Sequence, residues 1–271
     1  MPELPEVETT CRGIAPHIES QTVNMVVIRQ NKLRWPVSPE ITLDLPQQVI
    51  NKVSRRAKYI LVRAETGTLI IHLGMSGSLR ILQQQQPAEK HDHIDVVFNN
   101  GICLRYTDPR RFGAFLWTKQ AVESHKLIAS LGPEPLTDSF HNDYFHSLAK
   151  TRRVPIKTFI MDGHVVVGVG NIYASEALFI AGIHPTRPAN KISQKRLSVL
   201  VDSIKEILRL AISQGGTTLK DFVNSDGKPG YFQQTLAVYG RKSEPCHHCG
   251  TAIKQIVIGQ RSTFYCPHCQ H

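Results

Sequence analysis

Residues 246–269 read CHHCGTAIKQIVIGQRSTFYCPHC, two Cys-x2-Cys pairs, Cys246/Cys249 and Cys266/Cys269, separated by sixteen residues. Each pair presents two thiolates, and four thiolates satisfy the tetrahedral preference of zinc. The interval Ile256 to Tyr265 reads as a β-hairpin between the two knuckles. A pair of disulfides is the alternative. The N-terminal MPELPEVETT carries no export pattern, so the chain is expected in the cytoplasm, where thiols stay reduced and available to metal. One structural zinc ion is therefore expected. His247 and His248 could compete as ligands, but four cysteines already fill a closed site, and Cys11 and Cys103 read as buried apolar residues.

Working outward, Leu197, Leu200, Val201, Ile204, Leu208, Ala211 and Ile212 recur at spacings of three and four, one apolar stripe of a long helix. Gly215-Gly216 closes it, and Thr217 to Tyr231 is polar and glycine-bearing, the composition of a loop. From about residue 120 onward the pattern is helical. Before that, Val23–Ile28, Tyr59–Val62, Leu69–Leu73, Ile94–Phe98, Ile102–Tyr106 and Ala114–Trp117 are short apolar or alternating stretches separated by turn signals such as Asn99-Asn100-Gly101. These predict a β-sandwich. Pro5, Val7, Cys11 and Ile14 fit an amphipathic helix in front of it. The fold class is α+β, with expected domains at 1–133, 134–235 and 236–271.

A net charge of +10 over 271 residues favours a polyanionic partner, nucleic acid or an anionic membrane surface. Lys52, Arg55, Arg56, Lys58 and Arg63 form one acid-free cluster, and Lys150, Arg152, Arg153 and Lys157 another; a merely solvated face is the plainer reading. No run of about 18 apolar residues offers a membrane span. A monomer is expected, since no heptads appear.

Several residues are suited to chemistry. Removal of Met1 would leave Pro2 with a secondary α-amine, which titrates near 8 and is partly unprotonated at neutral pH; Pro2 could equally just shape the helix entry. Glu3 and Glu6 fit either helix capping or acid–base work. His72-Leu73-Gly74-Met75-Ser76-Gly77 runs a strand into a glycine-flanked turn whose Met75 is either core filler or a wedge for a base stack. Asp108-Pro109-Arg110-Arg111-Phe112-Gly113 combines cations with an aromatic ring. Val165 to Gly170 followed by Asn171-Ile172-Tyr173 reads as a glycine turn opening a helix, whose free amides can bind phosphate. Arg261 is either a surface arginine or a phosphate clamp.

The chain resembles the formamidopyrimidine-DNA glycosylase family, bacterial repair enzymes for oxidised guanine. The matching stretches are PELPEVET at 2–9, RRAKYIL at 55–61, HLGMSGSLRI at 72–81, YTDPRRFG at 106–113, LGPEPL at 131–136, VVGVGNIYASEALF at 166–179, QGGTTLKDF at 214–222 and the four-cysteine finger. The resemblance implies a β-sandwich joined to a helix-two-turn-helix module and a zinc finger, acting on double-stranded DNA with oxidised bases or abasic sites. It implies Pro2 as Schiff-base nucleophile, Glu3 as proton donor and acceptor, Lys58 and Arg261 at lesion phosphates, and His72 and Asn171 beside them. Met75, Arg110 and Phe112 resemble the family's wedge. Arg111, Lys157, Tyr173 and Lys220 resemble further DNA contacts, and 217–231 a loop capping the extruded base. The glutamine run 83–86 and the paired histidines depart from the family pattern. A sibling glycosylase for oxidised pyrimidines and a non-catalytic zinc-ribbon DNA-binding protein are the rival readings.

Overall fold

Alternating apolar residues in the first half of the chain build two antiparallel sheets whose inner faces share one core. The computed structural model describes residues 2–83, 86–215 and 236–271. Helix α1 (Leu4–Ile18) precedes strands β1 (Val23–Ile28), β2 (Ile50–Arg56), β3 (Tyr59–Ala64), β4 (Thr68–His72), β5 (Ser78–Gln83), β6 (Asp92–Phe98), β7 (Ile102–Thr107) and β8 (Ala114–Thr118), with the short α2 (Ile41–Asp44) between β1 and β2. One sheet runs β1-β6-β7-β5 and the other β2-β3-β4-β8. Ile94, Val96 and Phe98 from the first meet Ile60, Val62, Leu69 and Ile71 from the second in a single buried cluster, which also takes Val7, Cys11, Ile14 and Ile18 of α1. The expected β-sandwich with its leading helix is present.

Ionic pairing covers the far side of the first sheet. Asp95 and Arg105 face each other across β6 and β7, with Arg105 donating to Asp95 at 2.8 and 2.9 Å and to Asp92 at 3.2 Å. Arg105 also donates to the carbonyls of Gln86 and Pro87, so this buried network also holds the segment that leads into β6. Losing one partner of such a network costs about 3–5 kcal/mol.

The second half is helical: α3 (Asn142–Ala149), α4 (Ile156–Ile160), α5 (Asn171–Ile180) and α6 (Gln194–Ser213), then the hairpin β9 (Lys254–Ile258) and β10 (Arg261–Tyr265). Six of the seven stripe residues of α6 are buried, Ile212 only partly, and they pack with Phe145, Phe159, Tyr173 and Leu178. The expectation of helix from about residue 120 is corrected over 125–141, where turns prevail and α3 begins only at Asn142; Pro133 and Pro135 lack the amide a helix needs there. The described residues divide into two compact units, one formed by those within 2–129 with 214 and 215, the other by 130–213 with 236–271.

Candidate nucleic-acid interface

In the first unit, the head of α1 carries Pro2 and two buried carboxylates. Glu3 is the N-cap, only 2% exposed. Its backbone N–H donates to Glu6 Oε2 at 2.8 Å, and its own carboxylate accepts the backbone N–H of Glu6, closing a capping box. Both carboxylates sit at the positive end of the helix dipole. Pro2, half-buried, stands one residue ahead. Capping is thus Glu3's contact in this structure, and it fixes the carboxylate beside the residue bearing the candidate amine.

Lys58 lies in the two-residue turn between β2 and β3, where Ala57 adopts a φ of +54° and its carbonyl is held by Arg55 at 2.8 Å. The register pairs Tyr59 with His72, and their rings lie 5.0 Å apart. Burial first, then the charges of Lys58 and Arg34, push the His72 pKa down to about 4, with Asp108 opposing. His72 is therefore neutral near pH 7. Its Nδ1 accepts the Gly74 N–H at 2.9 Å, which leaves the ring proton on Nε2 as a donor. Arg34, Trp35, Tyr59, His72 and Phe112 line a cavity of about 170 Å³.

Two turns meet beside His72. Met75 is 44% and Phe112 43% exposed, so Met75 is not core filler, and the Arg110 guanidinium lies 4.7 Å from the Phe112 ring centre. Arg110 and Arg111 are exposed. Gly74 has a φ of +63°, and a Cβ there would come within 2.6 Å of the Phe112 carbonyl carbon and the Gly113 nitrogen. The two turns touch backbone to backbone.

In the second unit, Gly170 caps α5 and Asn171 is its first residue. The Asn171 amide donates to the Ser262 carbonyl at 2.9 Å. Lys157 is 1% exposed; its ammonium donates to Asn171 Oδ1 at 2.6 Å and to Thr263 Oγ1 at 2.8 Å. The Lys157 ammonium is thus engaged inside the protein, between the start of α5 and β10. The Tyr173 ring, in the first turn of α5, is likewise fully buried. Arg261 is exposed at the start of β10, just after Gly259 and Gln260, both with positive φ, turn the hairpin. Lys220 and the segment 217–231 lie outside the described residues.

The four thiols of Cys246, Cys249, Cys266 and Cys269 all lie within 4.8 Å of one another, with Cys249–Cys266 at 3.5 Å and Cys246–Cys269 at 4.0 Å. A zinc ion with arms of about 2.3 Å needs sulfur–sulfur edges of about 3.8 Å, so the set fits one structural zinc. His247 and His248 are exposed and outside this set.

Besides Asp92 and Asp95 of the sheet network, the buried carboxylates of Glu176 and Asp108 escaped the sequence reading. Glu176 on α5 accepts the backbone N–H groups of Ala237, Val238 and Tyr239 at 2.7 to 3.0 Å, anchoring the chain where it enters the ribbon. Nothing in its apolar helical surroundings signals that. Asp108 is fully buried between the two turns; the Asp-Pro pair, which starts turns with the carboxylate turned inward, was the available signal.

A β-sandwich headed by a proline and a capped glutamate, with basic turns, and a helical unit stiffened by a four-thiolate ribbon, together define a zinc-ribbon DNA-binding enzyme. Residues 1–115 match the formamidopyrimidine-DNA glycosylase N-terminal domain, 131–223 the H2TH domain of the same enzymes, and 243–271 the zinc finger found in FPG and IleRS. The formamidopyrimidine-DNA glycosylase of Hydrogenovibrio crunogenus is 55% identical over all of this chain and 96% of its own length. Among solved structures, Lactococcus lactis formamidopyrimidine-DNA glycosylase bound to DNA with an abasic site is 33% identical with a TM-score of 0.90, covering 99% of each chain. MutM in complex with DNA containing carbocyclic 8-oxoguanine is 34% identical with a TM-score of 0.89, covering 100% of each. The chain belongs to the formamidopyrimidine-DNA glycosylase family.

Proposed function

We propose that this chain removes oxidised purines from duplex DNA and then cleaves the abasic strand, with Pro2 as nucleophile. The observation that carries the assignment is the head of α1, where Pro2 precedes a buried, capped Glu3 in a chain that matches the family from end to end. A secondary amine attacks C1′ of the damaged nucleoside as the bond to the base breaks; the C1′–O4′ bond of the resulting aminal then opens, and the iminium so formed withdraws electrons from C2′. Glu3 donates a proton to the sugar ring oxygen and shuttles protons during elimination. Loss of a C2′ proton expels the 3′ phosphate, and δ-elimination expels the 5′ phosphate, leaving a one-nucleotide gap.

Lys58 and His72 Nε2 in the first unit, and Asn171 and Arg261 in the second, are the candidate phosphate donors, with Lys157 acting through Asn171. Met75, Arg110 and Phe112 fill the void left by the extruded nucleotide. Cys246, Cys249, Cys266 and Cys269 would hold one structural zinc ion, which would keep the ribbon folded and, with all four positions filled by thiolates, would offer the substrate no open coordination position. The described residues contain no helix long and apolar enough to cross a membrane. Excision of 8-oxoguanine and of thymine glycol from matched duplexes tests the substrate class: preference for the purine is expected, and preference for thymine glycol would move the chain to the pyrimidine-directed sibling.

A further inference from the structure

The two exposed turns of the first unit are fastened together by a carboxylate that neither exposes itself nor lies at the surface they present. Asp108 is 0% exposed and its side chain accepts four hydrogen bonds. Oδ1 takes the Ser76 hydroxyl at 2.8 Å and the Arg110 N–H at 3.3 Å. Oδ2 takes the Gly113 N–H at 2.9 Å and the Tyr106 hydroxyl at 3.1 Å. Ser76 follows Met75 directly, while Arg110 and Gly113 bracket Phe112. One carboxylate therefore holds both tips.

The surroundings leave it no slack. Ser76 Oγ also accepts the Arg110 N–H at 3.2 Å, closing a ring of hydrogen bonds between the turns. A Cβ on Gly113 would lie 1.8 Å from the Tyr106 hydroxyl, and the Asp108 carbonyl contacts His93 Nε2 at 2.8 Å. Hydrogen bonds to a charged acceptor inside protein are about twice as strong as neutral ones. Without them, two surface turns with exposed tips would fluctuate separately.

We infer that Asp108, through Ser76, is a positioning residue that makes the Met75 turn and the Arg110–Phe112 turn insert into DNA as one body. It sets the rate of nucleotide extrusion without touching DNA. This inference rests on the reading of Met75 and Phe112 as the wedge. Rigidity matters here because a wedge must enter a stacked step whose opening costs a few kcal/mol, and a second tip already aligned with the first enters at no further ordering cost.

The test uses the full-length, zinc-loaded protein and a duplex carrying 8-oxoguanine with 2-aminopurine beside it, followed by stopped-flow fluorescence. Ser76→Ala cuts the tie between the turns while leaving Asp108 its bonds to Tyr106, Arg110 and Gly113, so the protein stays folded with an unfolding midpoint lowered by the loss of one hydrogen bond, and extrusion is measured well below that midpoint. Extrusion should slow by about tenfold, the loss expected for one hydrogen bond to a charged acceptor, and Ser76→Thr, which keeps the hydroxyl, should restore it. A double-mutant cycle supplies a readout that a merely structural role would not move. With Ser76 present, Met75→Ala plus Phe112→Ala should slow extrusion far less than the product of the two single losses; with Ser76→Ala the losses should multiply. Coupling that persists unchanged without the Ser76 hydroxyl overturns the fastening alone. If neither Met75→Ala nor Phe112→Ala alters extrusion, the wedge reading itself falls, and this inference with it.

Discussion

The Lys157 ammonium donates to Asn171 Oδ1 at 2.6 Å from a position only 1% exposed. A lysine that sequence places in a basic cluster is thus a buried strut between the start of α5 and the zinc hairpin. Lys157→Ala should lower stability by about 2–4 kcal/mol, because buried acceptors lose a charged donor. DNA affinity should fall through misplacement of Asn171, while the slope of log K against log salt stays unchanged. Arg261→Ala, by contrast, should flatten that slope by about one. Affinity titrations at several salt concentrations check this; a flatter slope for Lys157→Ala would show that it neutralises a phosphate after all.

His72 gives a pH dependence with a defined sign. Its folded pKa, about 4, lies below the ordinary 6.5, so protonation favours the unfolded chain. The stabilising contribution is present above about pH 6.5 and is lost as pH falls towards 4. His72→Gln should therefore lose less stability between pH 7 and 4.5 than the parent, by up to about 3 kcal/mol. Urea midpoints at the two pH values measure the difference; identical losses would place His72 in water rather than in its buried setting.

Cys249→Ser should release the zinc ion, unfold the ribbon and abolish DNA binding while sparing the β-sandwich, whose core contains no ribbon residue. Metal content, circular dichroism and a gel-shift assay on one preparation check this. Normal affinity after zinc loss would contradict the structural role.

Met75→Ala should slow single-turnover excision from a lesion duplex while largely preserving affinity, since phosphates supply most of the binding and Met75 touches none in this account. An unchanged excision rate would remove Met75 from the wedge.

What the sequence made legible follows physical rules. The α6 stripe and the α1 pattern of Val7, Cys11 and Ile14 have a helical period, and all of these residues but Ile212 are buried as read. The zinc ligands were legible from spacing alone. β2 and β5 were not read as strands, and both lie at sheet edges. INKVSRR and SLRILQ carry charges that suit an edge and blur the alternation. In the site, exposed Met75, Arg110 and Phe112 were legible because their turns are marked by glycines and proline. Long-range partners were not: Lys157 to Thr263 spans 106 residues, and Asp108 to Ser76 spans 32. Charge on a lysine announces a surface, and only the fold reveals that this one faces inward.

The identity of the nucleophile is open to direct measurement. Incubation with duplex DNA carrying 8-oxoguanine opposite cytosine, reduction with borohydride and peptide mapping by mass spectrometry read it directly. One covalent adduct is expected, on the nitrogen of Pro2 in a chain lacking Met1. An adduct on a lysine, or none with either lesion or abasic duplex while binding persists, would contradict it.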